Sequence, residues 1–548
     1  MPTVNLNRKE VENLIKKRIS LDELKENITF LGTDLNEIND NEIIVEIFPN
    51  RPDLLSEPGL ARALKSFIGY ETGLKKYKTL KSNYKVIIEE SVKDVRPYTA
   101  CAVVKNLKLN EDRIKEVIQL QEKLHVTYGR NRKKVAIGIY PLEKIKFPIR
   151  FLALPANEIK FHPLEYDKEL TALEILEKHP AGKEYGHLLK DYDKYPLFID
   201  ANNNILSMPP IINSELVGRV NEKTKDVFIE CSGFDFNILK KCLNIILCAL
   251  SDLNGIIYEN ELVYNKKKEI TPNLQPEEMK LNISYVNKIL GLNLNENEIK
   301  KLLERMGYDY DNGKVLIPSY RVDILHEIDL VEDIGIAYGY NNFKEQIPNI
   351  ATIAEEDKFY LFKEKIINLL TGLNLIEVRN YNLTSKESLY YKMNHNGEVV
   401  SLANSLSQGY DVLRSWVIPS LMETLSKNKH NEYPQNIFEI GTIFKKGENE
   451  TNVIEQERVA IALCHPKSNF TEIKQILDSL LSSLSLKYEI KDVEHDSFIP
   501  GRVGRININN KNIAYIGEIH PQVLNNWNLE MPVACLELNL TELFNVIK

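Results

Sequence analysis

The sharpest constellation of potential ligands lies between Arg321 and Tyr340 and reads R-V-D-I-L-H-E-I-D-L-V-E-D-I-G-I-A-Y-G-Y. At helical spacing Ile328, Val331, Ile334 and Tyr338 share one face. Asp329, Glu332 and Asp333 stand at i, i+3 and i+4 on another, and Asp323 sits just ahead of the helix. Like charges so placed repel by about a few tenths of a kcal/mol each. A bound hard cation reverses that sign, and an all-oxygen carboxylate set suits Mg²⁺. The macrodipole alone also favours acidic side chains in the first turns of a helix. Spacing leaves both readings open.

A second group joins Leu206-Ser207-Met208-Pro209-Pro210-Ile211-Ile212-Asn213 to Phe228-Ile229-Glu230-Cys231-Ser232-Gly233. A Pro-Pro loop after one strand, and a carboxylate beside a hydroxyl on another, could line one pocket for a polar ligand. The alternative is ordinary strand-end polarity. The basic run Arg130-Asn131-Arg132-Lys133-Lys134 could meet phosphate, but such runs are more often solvated loops. His520, in G-E-I-H-P, reads as a turn residue rather than a base. No Walker phosphate loop, Rossmann G-x-G-x-x-G, H-E-x-x-H or G-x-S-x-G is present. The six cysteines form no C-x-x-C pair and no zinc spacing, and read as reduced core thiols of a cytoplasmic protein.

These residues need scaffolding, and 548 residues suggest three to four domains. The balance of 70 basic and 78 acidic side chains excludes a strongly basic stand-alone nucleic-acid binder, while a local basic face stays allowed. No apolar run is long enough to span a membrane, and the N-terminus shows no signal peptide. Composition shifts at Gly73–Lys81, at Asn265-Lys266-Lys267-Lys268 and at Gln346–Asp357 divide the chain into 1–80, 81–265, 268–345 and 350–548. Asp235 is a good N-cap, and Leu239, Cys242, Leu243, Ile246 and Leu250 follow at helical spacing, which makes Cys242 a core residue. In the third segment a helix over Asn295–Met306 stops at Gly307, and Asp311-Asn312-Gly313 signals a hairpin. Helix, helix, hairpin is a winged-helix-like order. The last segment opens on a helix bearing Phe359, Phe362, Ile366 and Leu369 and continues in strands, an α+β pattern.

Six motifs in order carry a family resemblance. They are Met1-Pro2-Thr3-Val4, then N-R-P-D-L-L-S at 50–56 with Gly59-Leu60-Ala61-Arg62, L-S-M-P-P-I-I-N at 206–213, F-I-E-C-S-G at 228–233, the acidic helix closing in Gly339-Tyr340, and Pro500-Gly501-Arg502 with Ile516-Gly517-Glu518-Ile519-His520-Pro521. Across essentially the whole chain the sequence resembles the beta subunits of phenylalanine–tRNA ligase, of the shorter archaeal and eukaryotic kind. The resemblance implies a multidomain α+β protein in an (αβ)₂ heterotetramer that joins phenylalanine to tRNA(Phe) with ATP and Mg²⁺. It implies a mixed α/β editing domain at 81–265, a winged-helix-like domain at 268–345, and a degenerate class II synthetase-like antiparallel-sheet domain at 350–548. Ending at Lys548, the chain is expected to lack the bacterial anticodon-binding domain. By the same resemblance Ser207, Glu230 and Ser232 match the editing pocket that removes tyrosine, with no general base assigned. The family often has Thr where Ser232 stands. Asp323, Asp329, Glu332 and Asp333 match the Mg²⁺ positions.

The class II resemblance also places a second-motif-like strand at Phe438–Phe444. Lys445 then stands where a phosphate-clamping Arg belongs, and no Gly or Arg follows Gly517 to build a third motif. Lysine cannot form the planar bidentate fork. Aminoacylation is therefore expected of the alpha subunit. The alternatives are an assembly and RNA-binding scaffold without editing activity, or a stand-alone deacylase.

Overall fold

The computed structural model describes residues 2–265, 267–350, 354–405, 407 and 409–547. Met1 of the opening motif, Lys266 of the basic stretch and 351–353 of the third linker lie outside the described residues. The chain forms two compact units, Met1–Ile347 and Pro348–Lys548. Their division falls within the Gln346–Asp357 stretch.

The first unit contains the segments that the sequence separates as 1–80, 81–265 and 268–345. Thr3–Asn7, Glu42–Glu46 and Asp34–Ile38 form a three-stranded sheet. One continuous apolar core runs from Val4 through Leu60 and Leu64 to Leu243 and Ile246 of the helix Phe236–Asp252, and on to Ile299, Val315 and Val331. The segments 1–80 and 268–345 are small enough to be marginal alone, so sharing this core stabilises them, while 81–265 also carries a core of its own. The stretch after Gly73 is docked: Gly73 N donates to Glu304 O at 2.7 Å and Leu74 N to Asp309 Oδ1 at 2.9 Å. Helices Ile283–Leu290 and Glu296–Arg305, the hairpin Asp309–Asp311/Lys314–Ile317 and helix Glu327–Tyr338 follow in order. Asn312 and Gly313, with φ of 46° and 77°, make the left-handed pair that a two-residue hairpin loop requires.

A ten-stranded mixed sheet dominates this unit. Its path runs from Ile212–Asn213 through Ile205–Met208, Lys194–Ile199, Ile149–Pro155, Thr79–Ile88, Ile256–Tyr264, Tyr98–Lys105 and Val227–Gly233 to Val135–Pro141. Lys267–Thr271 pairs antiparallel with Ile256–Tyr264, so Lys267 and Lys268 of the basic stretch are strand residues of this sheet. Lys268 offsets its charge on Glu261 across that strand pair at 2.7 Å.

The second unit is built on a seven-stranded sheet, in the order Ile376–Glu377, Gln435–Lys446, Val453–Cys464, Val533–Asn539, Lys511–Ile519, Phe498–Ile508, Glu489–Asp492. All its pairs are antiparallel except the first. Strand alternation sends Phe438, Ile440, Val459 and Ile461 to a core with helices Lys358–Gly372 and Phe470–Ser483. It sends Ile437, Ile443, Ala460, Ala462 and Cys535 to a second core with helix Ile418–Asn428. Helices and sheets thus mix in both units, as the α+β reading expects. All six cysteines are buried and free. Among the described residues no helix is long and apolar enough to cross a membrane.

Candidate functional site

The strand Val227–Gly233 lies between Tyr98–Lys105 and Val135–Pro141, with Glu230 opposite Gly138 and Ser232 opposite Ala136. Residues two apart share a face of the sheet, which brings Glu230, Gly138 and Tyr140 together. The Tyr140 hydroxyl lies 2.7 Å from Ser207 Oγ, 3.2 Å from Glu230 Oε1 and 3.5 Å from Asn213 Oδ1. One hydroxyl proton cannot serve three acceptors, so Ser207 or a protonated Glu230 must donate in return. Gly138 permits this approach. A Cβ there would stand 2.1 Å from Tyr140 Oη and 2.6 Å from Glu230 Oε1.

Glu230 is 1% exposed, and its Oε2 has no hydrogen-bond partner among the described residues. Burial pushes its pKa up to about 8, against the opposing pull of the Tyr140 hydroxyl, the Arg96 charge and the Ser232 hydroxyl. At neutral pH the carboxyl is therefore largely protonated and can donate as well as accept.

Beside this pair lies a small cleft of about 100 Å³ lined by Gln121, Glu122, His125, Arg132, Asn213 and the Pro209-Pro210 loop. Helix Glu111–Val126 presents Gln121, Glu122 and His125 from its last turns. The chain then makes three consecutive left-handed residues, Arg130, Asn131 and Arg132, at φ 48°, 52° and 63°. Such residues cost about 1–2 kcal/mol each. They fold the chain back so that Asn131 N and Arg132 N donate to Val126 O and His125 O of the helix end. Arg132 is thereby delivered to the cleft. Its Nη1 donates to Ile211 O at 2.8 Å, and its Nη2 contacts Glu122 Oε1 at 3.1 Å. His125 Nε2 accepts from Ile137 N at 2.8 Å, which leaves Nδ1 protonated and facing Glu122 at 3.2 Å.

Of the residues singled out in the sequence, Ser207 and Glu230 meet in this pocket. Ser232 stands one pair further along the strand, where Arg96 Nε donates to its hydroxyl at 3.1 Å and Arg96 Nη2 to its carbonyl at 2.6 Å. It is not among the residues that line the cleft, though its hydroxyl still acts on the Glu230 carboxyl. Sequence reasoning missed Tyr140, Gln121, Glu122 and His125, and read Arg132 as part of a basic run that is more often a solvated loop. A glycine inside the strand Val135–Pro141 was the readable signal for Tyr140, because an interior strand glycine often marks a close approach. Nothing in the sequence announced the left-handed turn that carries Arg132.

The four acidic positions are not gathered. Arg321 Nε and Nη2 grip Asp323 at 2.8 and 2.7 Å, and Nη2 also reaches Asp333 Oδ2 at 2.7 Å. The Tyr308 hydroxyl donates to the same Asp333 oxygen. Burial alone would raise the Asp323 carboxyl, but Arg321 and Arg51 hold it below its usual range. Asp329 Oδ2 accepts from Leu325 N and His326 N at 2.8 and 2.7 Å at the helix start, and Glu332 is exposed. Among the described residues no group of three His, Cys, Asp or Glu side chains could hold a metal ion. A guanidinium takes the place that a cation would neutralise, so this chain alone does not fit Mg²⁺ as arranged.

Residues 279–340 match the tRNA synthetase B5 domain, and 344–540 match the phenylalanyl tRNA synthetase beta chain CLM domain. Over 555 aligned residues the chain is 44% identical to the phenylalanine–tRNA ligase beta subunit of Pyrococcus horikoshii, covering 99% of this chain and 100% of that one. The chain belongs to the phenylalanine–tRNA ligase beta-subunit family. A second family member, from Thermococcus onnurineus, is 42% identical over 99% of both chains. A crystal structure of an N-terminal fragment of the Pyrococcus horikoshii phenylalanyl-tRNA synthetase beta subunit aligns with a TM-score of 0.60 at 43% identity, covering 62% of this chain and 100% of that fragment. Membership of the phenylalanine–tRNA ligase beta-subunit family makes this chain an aminoacyl-tRNA synthetase subunit.

Proposed function

We propose that this chain is the beta subunit of a cytoplasmic (αβ)₂ phenylalanine–tRNA ligase. The alpha subunit attaches phenylalanine to tRNA(Phe) with ATP, and the Glu230 pocket hydrolyses mischarged tyrosyl-tRNA(Phe). The observation that carries the editing role is the buried, unpartnered Glu230 Oε2 beside a cleft. Tyrosine differs from phenylalanine by one hydroxyl. An apolar synthetic pocket rejects an added hydroxyl only about a hundredfold, whereas a site built to hydrogen-bond that group rejects its absence by about 10⁴-fold or more. Glu230 Oε2 would meet the tyrosine hydroxyl, and phenylalanine would leave it unpaired. Ser207 and Asn213 hold Tyr140, which orients Glu230. Water then adds to the ester carbonyl, the bond to the ribose oxygen breaks, and that oxygen leaves with a proton. No general base is assigned.

Gel filtration and kinetics of the chain, alone and with the alpha subunit, test this reading. The expected result is a heterotetramer that charges phenylalanine and clears tyrosyl-tRNA(Phe), and an isolated chain without phenylalanine-dependent pyrophosphate exchange. Exchange by the isolated chain would overturn the division of labour. A complex that charges phenylalanine but never clears tyrosyl-tRNA would reduce the chain to an assembly and RNA-binding scaffold.

For Mg²⁺ we propose a cation of the assembled complex only. Glu332 is exposed and Asp329 Oδ1 makes no hydrogen bond among the described residues, so both could meet a cation that the alpha subunit helps to ligate. Asp329→Ala with Glu332→Ala should weaken heterotetramer assembly and flatten its Mg²⁺ dependence while the isolated chain stays folded. Assembly at parental affinity with unchanged Mg²⁺ dependence, read by sedimentation, sinks the idea.

A further inference from the structure

One face of the second unit's sheet carries charge that the proposed reaction does not use. Strand alternation continues the Ile437/Ile443 face to Lys445, the Ala460/Ala462 face back to Arg458, the Val503 face to Arg505, and the Cys535 face to Glu537. Register aligns Tyr515 with both Arg505 and Glu537. Three cations therefore converge around one carboxylate. That carboxylate is already engaged. Its Oε1 pairs with Arg458 Nη1 at 2.8 Å, and its Oε2 accepts from Val417 N and Ile418 N at 2.8 and 2.9 Å, at the start of helix Ile418–Asn428. Arg458 Nε is buried without a hydrogen-bond partner among the described residues, and the Arg505 guanidinium stacks 3.9 Å from the centre of the Tyr515 ring. Lys445 is exposed.

The crowding has an electrostatic signature. Although Lys445 keeps solvent access, partial desolvation by its neighbours first, and then the charges of Arg458 and Arg505 against the pull of Glu537, hold its ammonium below its usual range. Arg505 is lowered in the same way, by burial and next by Arg458 against the pull of Tyr515. An anion on this face would relieve a repulsion that Glu537 alone leaves in place. Aromatic rings form its wall: His495 lies 5.2 Å from Tyr515 and 5.8 Å from Trp416, centre to centre. The lysine that rules out a catalytic fork can still hold a phosphate as a point charge.

We propose that Lys445, Arg458 and Arg505 bind the phosphate group of a small ligand on this face, without catalysing its reaction. The source is a free polyphosphate or the phosphate tail of a nucleotide. Calorimetric titration of the full chain at low ionic strength, with inorganic pyrophosphate and with ATP in separate arms, tests it. Saturable binding is expected. Tighter ATP binding assigns a nucleotide as the source, and equal affinities assign a bare phosphate site. Lys445→Ala should weaken binding about fivefold or more, the scale of one unit charge near the surface. Glu537→Gln keeps an acceptor for the two backbone N–H groups, removes the competing charge, and should tighten binding by a similar factor. Lys511→Ala, an exposed lysine paired with Glu542 at 3.3 Å, should change nothing. Absence of saturable binding with both probes in the millimolar range overturns the proposal, and so does binding indifferent to Lys445→Ala. Because Lys445 is exposed, that variant decides the matter even if Glu537→Gln fails to fold.

Discussion

Glu230→Ala should leave phenylalanine charging by the assembled enzyme intact and slow clearance of tyrosyl-tRNA(Phe) by about ten- to a hundredfold. That range falls within the ~1–3 kcal/mol cost of leaving a buried polar group without its partner. Gly138→Ala should produce a similar loss by another route, since the new methyl would occupy space held by Tyr140 Oη and Glu230 Oε1. The pH dependence gives a second readout. Folding favours the neutral Glu230 carboxyl, so its contribution is fully present below the ordinary carboxylate value of 4.5 and is lost as pH rises through about 8. Glu230→Gln should accordingly gain stability relative to the parent above pH ~8, and clearance by the parent should change across the same range. Denaturation midpoints check the first statement and single-turnover deacylation the second, each at several pH values. A Glu230→Ala complex that clears tyrosyl-tRNA at the parental rate removes Glu230 from the reaction.

The second large effect concerns folding. Arg414 and Glu439 have side chains only 2% and 1% exposed, and they pair at 2.6 Å. Arg414 Nε also donates to Thr442 O at 2.9 Å, and Asn380 Nδ2 to Glu439 Oε2 at 2.8 Å. Gly441 makes room for the guanidinium, because a Cβ there would lie 2.1 Å from Arg414 Nη2. Removing one partner of such a pair strands a buried charge and costs about 3–5 kcal/mol. Arg414→Ala should therefore lower the unfolding midpoint of the second unit markedly. Arg414→Leu combined with Glu439→Leu should cost far less, because no charge is left unpaired. The only two tryptophans of the chain, Trp416 and Trp527, both lie in this unit, so their fluorescence reports its denaturation selectively. A single variant as stable as the parent would show that the pair is relaxed or solvated.

Several features of this chain follow from local chemistry and were legible without a structure. Asp235 caps its helix as its residue type requires, and the stripe through Cys242 is core. Asn312-Gly313 makes its hairpin because few other pairs adopt two positive φ values cheaply. The pairing of Ser207 with Glu230 in one pocket came from the family resemblance, since nothing local links two strands so far apart in sequence. The boundary near 347 falls in a stretch marked by proline and charge, whereas composition did not show that Lys267 and Lys268 continue the sheet as a strand.

What the tertiary structure decided was which partner each polar group found. The acidic helix read as a cation site, yet Arg321 reaches Asp323 and Asp333 from a loop whose path no periodicity encodes. Ser232 faces Arg96, 136 residues away in sequence, rather than the cleft. Arg132, one basic residue among several, enters the cleft only through a left-handed turn. Side-chain type and spacing determine helices, caps and turns because those depend on atoms a few residues apart. The state of a buried charge depends on which distant side chain packing brings within 3 Å, and that is settled only when the sheets close.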